Sequence, residues 1–127
     1  MKTIFGIPGN IDEIELSQKI GILFILNKVY LQKDLKLDDF AKKIGISTRH
    51  LAPVFGLLYG HRFRELTNMY RVEYAKNKIE AGYLNDSTLK ALSDLSGFSS
   101  QSNFTKVFKK EFGKCPHDYG RPYSPVT

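Results

Sequence analysis

The sequence has one cysteine, Cys115, and three histidines in 127 residues. A single thiol excludes an internal disulfide framework and fits a reducing, cytoplasmic setting. His50, His61 and His117 are scattered, and none is spaced with another His, Cys, Asp or Glu as a metal site requires. Neither a glycine loop able to cradle phosphate nor a Ser/His/Asp set stands out, so the chain does not read as an enzyme, and no cofactor is implied. The longest apolar run, Ile20 to Leu26, is far short of the roughly 20 residues a membrane span needs. An acidic stretch, Asp12-Glu13-Ile14-Glu15, precedes that run and does not resemble a signal peptide. This segment is therefore expected to make no membrane contact.

What is present is enough for one domain with a real core. Hydrophobic residues make up 42% of the chain and aromatics 13%. Charged residues make up 25%, with a net charge of +6, so a charged partner is expected to be anionic.

Along the chain, residues 1–10 have no period and read as a tail or linker end. The spacing of Leu16, Ile20, Leu23 and Phe24 predicts an amphipathic helix from about Ile11 to Leu31. Leu37 to Ile44 forms a second, two-turn helix, which Gly45 ends by entering the left-handed region. Ser47 caps a third helix containing Leu51, Val54 and Phe55. The small Ala41, the turn at Gly45 and the spaced aliphatics of the next helix make a helix-turn-helix. Arg62 to about Glu80 lacks Pro and Gly and reads as one long helix, spanning on the order of 28 Å. Gly82 to Ser87 is predicted as a loop, with Asn85-Asp86-Ser87 as turn and cap residues. Thr88 to Ser96 is the next helix, and Pro116 opens a last short one anchored by Tyr119.

The chain repeats itself. Leu51-x-x-Val54-Phe55-x4-Gly60 recurs as Phe104-x-x-Val107-Phe108-x4-Gly113, an offset of 53 residues throughout. Phe63 and Leu66 correspond to Pro116 and Tyr119. Upstream, Ala41 corresponds to Ser93 at an offset of 52, so the second turn is one residue longer.

The second copy carries the clearest chemistry. Gly97 suits a tight turn, and Ser99 or Ser100 can cap the helix that follows. Phe104, Val107 and Phe108 give that helix an apolar back. Gln101, Ser102, Thr105 and Lys106 fall on the other side, followed by Lys109 and Lys110. These groups can bond base edges and phosphates, so the stretch reads as a recognition helix. The competing readings are a solvated lysine face, and helix capping by Gln101 or Asn103.

The segment Gly97-Phe98-Ser99-Ser100-Gln101-Ser102-Asn103-Phe104, continuing through Phe108-Lys109-Lys110 to Gly113-x-x-Pro116-x-x-Tyr119, resembles the C-terminal DNA-binding domain of the AraC/XylS family of bacterial transcription regulators. Arg71-Val72-x-x-Ala75 is similar to the same family's linking helix, and the resemblance covers about residues 15–121. It implies an all-α fold of about seven helices, with two helix-turn-helix units on one linking helix. The boundaries expected are a first unit at 11–60, the linking helix at 61–81, a second unit at 82–120 and a tail at 121–127. It also implies recognition helices at about 47–58 and 100–112, entering successive major grooves about 34 Å apart.

By position, the resemblance makes Arg49, Gln101, Ser102, Asn103 and Lys106 base-contacting. Thr48, Arg62, Arg64, Ser100, Thr105, Lys109 and Lys110 are the phosphate-contacting candidates. Ala52 and Pro53 stand where the family has long polar or basic side chains, so specificity is expected mainly from the second unit. Arg71 is expected to be structural, and Cys115 a small capping residue. Double-stranded DNA is the partner implied, with RNA polymerase and an N-terminal sensor or dimerisation domain as further ones. The alternative is a protein-interaction module using Leu57, Leu58 and Tyr59, with weak nonspecific DNA binding.

Overall fold

The computed structural model describes residues 13–119. The tails expected at 1–10 and 121–127 lie outside these residues, as does the expected helix start at Ile11. Among the described residues the fold is all-α, with eight α-helices, six of them of seven or more residues, and no strand. The chain divides into two compact units between Asn68 and Met69.

The first unit opens with α1 (Glu13–Gly21), whose Leu16 and Ile20 are buried. The expected single helix to Leu31 does not form. Instead α1 widens into a π-helical turn over Ile22–Leu26, closed by Asn27 N–H donating to the Ile22 carbonyl at 2.9 Å. Lys28 then adopts a left-handed conformation (φ +49°), and Val29–Leu31 forms a 3₁₀ turn. The reason lies in the core. Phe24 and Tyr30 are both buried, but six residues of α-helix would rotate Tyr30 about a third of a turn away from the Leu16–Ile20–Phe24 line. Breaking the helix at Lys28 returns Tyr30 to the interior.

Helix α2 runs over Leu37–Ile44, with Phe40, Ala41 and Ile44 buried. Its first turn is closed by Lys36 N–H donating to Asp39 Oδ2 at 3.1 Å. Gly45 (φ +88°) makes the tight turn into α3 (Thr48–Tyr59), a conformation a side-chain-bearing residue adopts at a cost. Phe24, Phe40, Phe55 and Phe63 cluster at the centre, with ring centroids 5.2–6.5 Å apart in tilted and edge-on pairs. Truncating one such buried ring costs about 3–5 kcal/mol.

Helix α4 (Phe63–Glu80) begins in the first unit and finishes in the second. In the second unit Val72, Ala75 and Ile79 of α4 pack with Leu92, Phe98, Phe104 and Phe108. The expected loop after Gly82 contains a further one-turn helix, α5 (Tyr83–Asp86). Gly82 (φ +93°) reverses the chain, and Tyr83 and Leu84 pack against this core. Helix α6 (Leu89–Leu95) is capped by Thr88, whose hydroxyl oxygen accepts from Ala91 N–H at 3.0 Å. The cap is thus Thr88 and not Asn85, Asp86 or Ser87. Helices α7 (Gln101–Phe112) and α8 (Pro116–Tyr119) complete the unit. Tyr119 packs on Phe108 and Phe112, and its hydroxyl donates to Glu80 Oε2 at 2.8 Å, tying α8 back to α4.

Candidate nucleic-acid interface

The repeat read in the sequence holds in three dimensions. Helices α3 and α7 each have 12 residues, begin after a serine and end at a left-handed glycine: Gly60 at φ +73° and Gly113 at φ +77°. Ser100 Oγ accepts from Asn103 N–H at 3.1 Å, and Ser47 Oγ accepts from His50 N–H at 3.4 Å. Between Ser99 and Ser100, the geometry selects Ser100 as the cap.

In α7, Phe104 and Phe108 are fully buried and Val107 is half-buried. Ser102, Lys106 and Lys109 follow at i, i+4 and i+7 on the opposite, solvent side, and all three are exposed. Lys110 is exposed beside them, and Asn103 is half-buried at the edge. Gln101 and Thr105 share a flank, the first exposed and the second half-buried. The expected residues therefore lie on one polar front, with Gln101 and Thr105 on one margin. Lys109 and Lys110 occupy the last turn, where the helix dipole favours cations whatever the partner. Lys106 lies mid-helix and has no such reason, so it is the more telling cation. Ser100 caps with its oxygen, which leaves the hydroxyl proton to donate outward.

In α3 the matching front is Arg49, Pro53 and Gly56, again i, i+4 and i+7, with Ala52 on the flank; all four are exposed. Thr48 is half-buried, and its hydroxyl donates to Asp38 Oδ1 at 2.6 Å, so its proton is committed to α2. Arg62 and Arg64 are exposed at the start of α4, where the dipole disfavours cations. There the Arg62 N–H donates to Glu65 Oε1 at 2.9 Å, closing the turn. The expected Leu57-Leu58-Tyr59 patch is small: Leu57 is 62% exposed, while Leu58 and Tyr59 are half-buried and the Tyr59 ring lies against Phe55.

The remaining chemistry is structural. Arg71 places its guanidinium 5.8 Å from the centre of the Phe98 ring. Lys76 pairs with Glu73 at 3.0 Å and lies over Phe112. Hydrogen bonding to Glu73 holds the Lys76 ammonium above its ordinary value, against burial. The hydrogen bond to Glu80 does the same for the Tyr119 phenol, helped by burial. Cys115 is half-buried, and its carbonyl accepts from Tyr119 N–H at 2.9 Å, which places it at the start of α8. Among the described residues no group of His, Cys, Asp and Glu could hold a metal ion. No described helix is long and apolar enough to cross a membrane.

Comparison with known proteins agrees with this geometry. Residues 40–121 match the family described as a helix-turn-helix domain. The chain is 33% identical over 92 residues to the HTH-type transcriptional regulator ExsA of Pseudomonas aeruginosa, which covers 72% of this chain and 31% of ExsA. It is 34% identical over 89 residues to the virulence regulon transcriptional activator VirF of Yersinia enterocolitica, covering 68% of this chain and 31% of VirF. The chain thus spans under a third of the length of these curated relatives. In fold it is similar to the C-terminal domain of AraT, a response regulator from Geobacillus stearothermophilus. That likeness has a TM-score of 0.72 at 22% identity and covers 94% of each chain. The chain belongs to the AraC/XylS family of helix-turn-helix DNA-binding domains, which are not enzymes.

Proposed function

We propose that this chain is the sequence-specific DNA-reading part of a bacterial transcription regulator, with α7 and α3 each entering a major groove. The observation that carries the reading is the division of α7. Two fully buried phenylalanines fix its back, and Ser102, Lys106 and Lys109 stand in line on its exposed front. Gln101, Ser102, Asn103 and Lys106 are assigned to base edges in the second unit, with Lys106 also within reach of a flanking phosphate's charge, and Arg49 to a guanine edge in the first. Ser100, Thr105, Lys109, Lys110, Arg62 and Arg64 are assigned to phosphates, joined by Thr48 once it exchanges Asp38 for a phosphate. The domain layout proposed remains two helix-turn-helix units on the α4 linker. The coverage of under a third of ExsA and VirF supports a sensor or dimerisation domain elsewhere in the full regulator. The name of VirF as an activator supports RNA polymerase as a further partner, in the cytoplasm. A protein-docking role for Leu57, Leu58 and Tyr59 fits less well, because two of the three are half-buried.

Selection from a random DNA pool by gel shift tests the reading, with one enriched motif as the expected outcome. Gln101→Ala should then relax preference at one position by about 5- to 150-fold, the range of a lost base contact. Lys106→Ala should also flatten the salt dependence, lowering the slope of log K against log salt by about 0.9 if it neutralises one phosphate. Absence of any motif, or equal and salt-independent losses in the two variants, would overturn the proposal.

A further inference from the structure

The front of α3 carries two residues that weaken a helix. Pro53 is the sixth residue of α3, past the first turn, so it removes a hydrogen bond to the Arg49 carbonyl. Gly56 is helical, and a Cβ built on it would meet nothing within 4 Å. No packing inside the unit therefore calls for a glycine there. These residues line a groove of about 570 Å³ with Leu37, Ala52, Arg62 and Phe63. Its lining is mainly apolar, with Arg62 the one charged residue among those that line it, and Arg49 stands on the same front one turn away.

The occupant that fits is apolar in its middle and anionic at its margins. A DNA major groove has that form where thymine lies on its floor. The C5 methyl is the apolar group displayed there, and phosphates border it on both sides. Ala52, Pro53 and Gly56 have no side-chain polar atoms to hydrogen-bond base edges, and their small size brings the helix backbone closer to the groove floor.

Building on the DNA-binding reading above, we propose that α3 reads thymine methyl groups through Ala52, Pro53 and Gly56. Arg49 sets the register on a neighbouring guanine, and Arg62 engages a phosphate. The two reading helices then use different chemistry on one scaffold: polar contacts from α7 and methyl contacts from α3.

The test uses the selected DNA site. Each thymine in the half-site protected by α3 is replaced by uracil, which keeps every hydrogen-bonding group and loses only the methyl. Affinity should fall about fourfold per contacted methyl, the value of one buried methyl group. Uracil in the α7 half-site is the control and should matter less. The double variant Pro53→Lys with Gly56→Lys supplies lysines as α7 has them, and it removes two helix-weakening residues, so it should fold. It should bind with a steeper salt dependence and lose the response to uracil. A motif that survives uracil replacement unchanged would overturn the proposal while leaving sequence-specific binding intact. No motif at all would remove the DNA-binding reading itself. If the α3 half-site is unprotected and a short acidic, leucine-rich peptide binds wild type but not the double variant, the groove serves a protein partner and the proposal is overturned.

Discussion

Replacing Pro53 by alanine should make the protein more stable, and the size of the gain follows from where the residue sits. At the sixth position of α3 the backbone nitrogen is beyond the first turn, where a missing N–H would be harmless. Its natural acceptor is the carbonyl of Arg49. A proline in a helix interior costs about 3 kcal/mol relative to alanine. Its rigidity in the unfolded chain returns about 0.4–1 kcal/mol of that. Pro53 is exposed, so its ring contributes little core packing. The net expectation for Pro53→Ala is a gain of roughly 2 kcal/mol.

Thermal unfolding followed by helical circular dichroism suits this chain, which has no tryptophan for fluorescence. If the first compact unit melts on its own, the gain corresponds to a rise in Tm of about 8–16 °C, and roughly half that if the whole chain melts together. Gly56→Ala gives an independent arm. With open space at its Cβ, it should add about 1 kcal/mol. An unchanged or lower Tm in Pro53→Ala would refute the reasoning. It would mean that α3 has already adjusted around Pro53, with no hydrogen bond left to regain.

Two further outcomes follow from the second unit. The hydroxyls of Ser93 and Ser96 are buried without a hydrogen-bond partner among the described residues. The counterpart of Ser93 in the first unit is the equally buried Ala41. Ser93→Ala should therefore stabilise this unit by about 1 kcal/mol or more, seen as a higher urea midpoint, and a lower midpoint would show that the hydroxyl is satisfied. Tyr119 behaves differently. Its folded phenol titrates above the ordinary value because it donates to Glu80, so its contribution is present below the unfolded value near 10. That contribution is lost as pH rises through the raised folded value. A melt series across that alkaline range should show wild type losing more Tm than Tyr119→Phe; parallel curves would contradict the assignment.

How much of this was legible in the sequence depended on whether one face of each helix was apolar. Helix α2 was read with its observed ends, because Leu37, Phe40, Ala41 and Ile44 mark one stripe and Gly45 stops it. Helix α7 was equally clear, and the serine caps needed only the choice between Ser99 and Ser100. Near Ile22 the reading ran long, since Ile22, Ile25 and Leu26 are apolar yet exposed. With apolar residues on both faces, no period marks where the helix must break. Helix α5 was missed because four residues are too few to show a period. At the site, the exposed front could be read from spacing alone. The engagement of Thr48 by Asp38, ten residues earlier, and of Tyr119 by Glu80, 39 residues earlier, could not. Such pairings depend on how helices are brought together, which local pattern does not carry.

The duplication separates what the scaffold requires from what the front is free to do. Ser47 and Ser100, Phe55 and Phe108, and Gly60 and Gly113 perform the same tasks in both copies: cap, core and stop. Only Ser100 among them also carries a proposed contact, to a phosphate, through the hydroxyl proton that its cap leaves free. At the outward positions the copies part completely: Arg49, Pro53 and Gly56 stand against Ser102, Lys106 and Lys109. Drift on an unused face would be expected to keep good helix formers, since alanine or lysine there lowers the free energy of folding. Instead the first copy holds a proline and a glycine on that face, together worth roughly 3 kcal/mol against the fold once proline's stiffening of the unfolded chain is allowed for. Against a net stability of about 5–15 kcal/mol that is a large burden, and the exposed surface it creates is the one the methyl-reading proposal uses. On the proposed reading, this divergence fits an α3 with a methyl-reading surface of its own, and the uracil replacement is the measurement that separates it from a reading helix in decay.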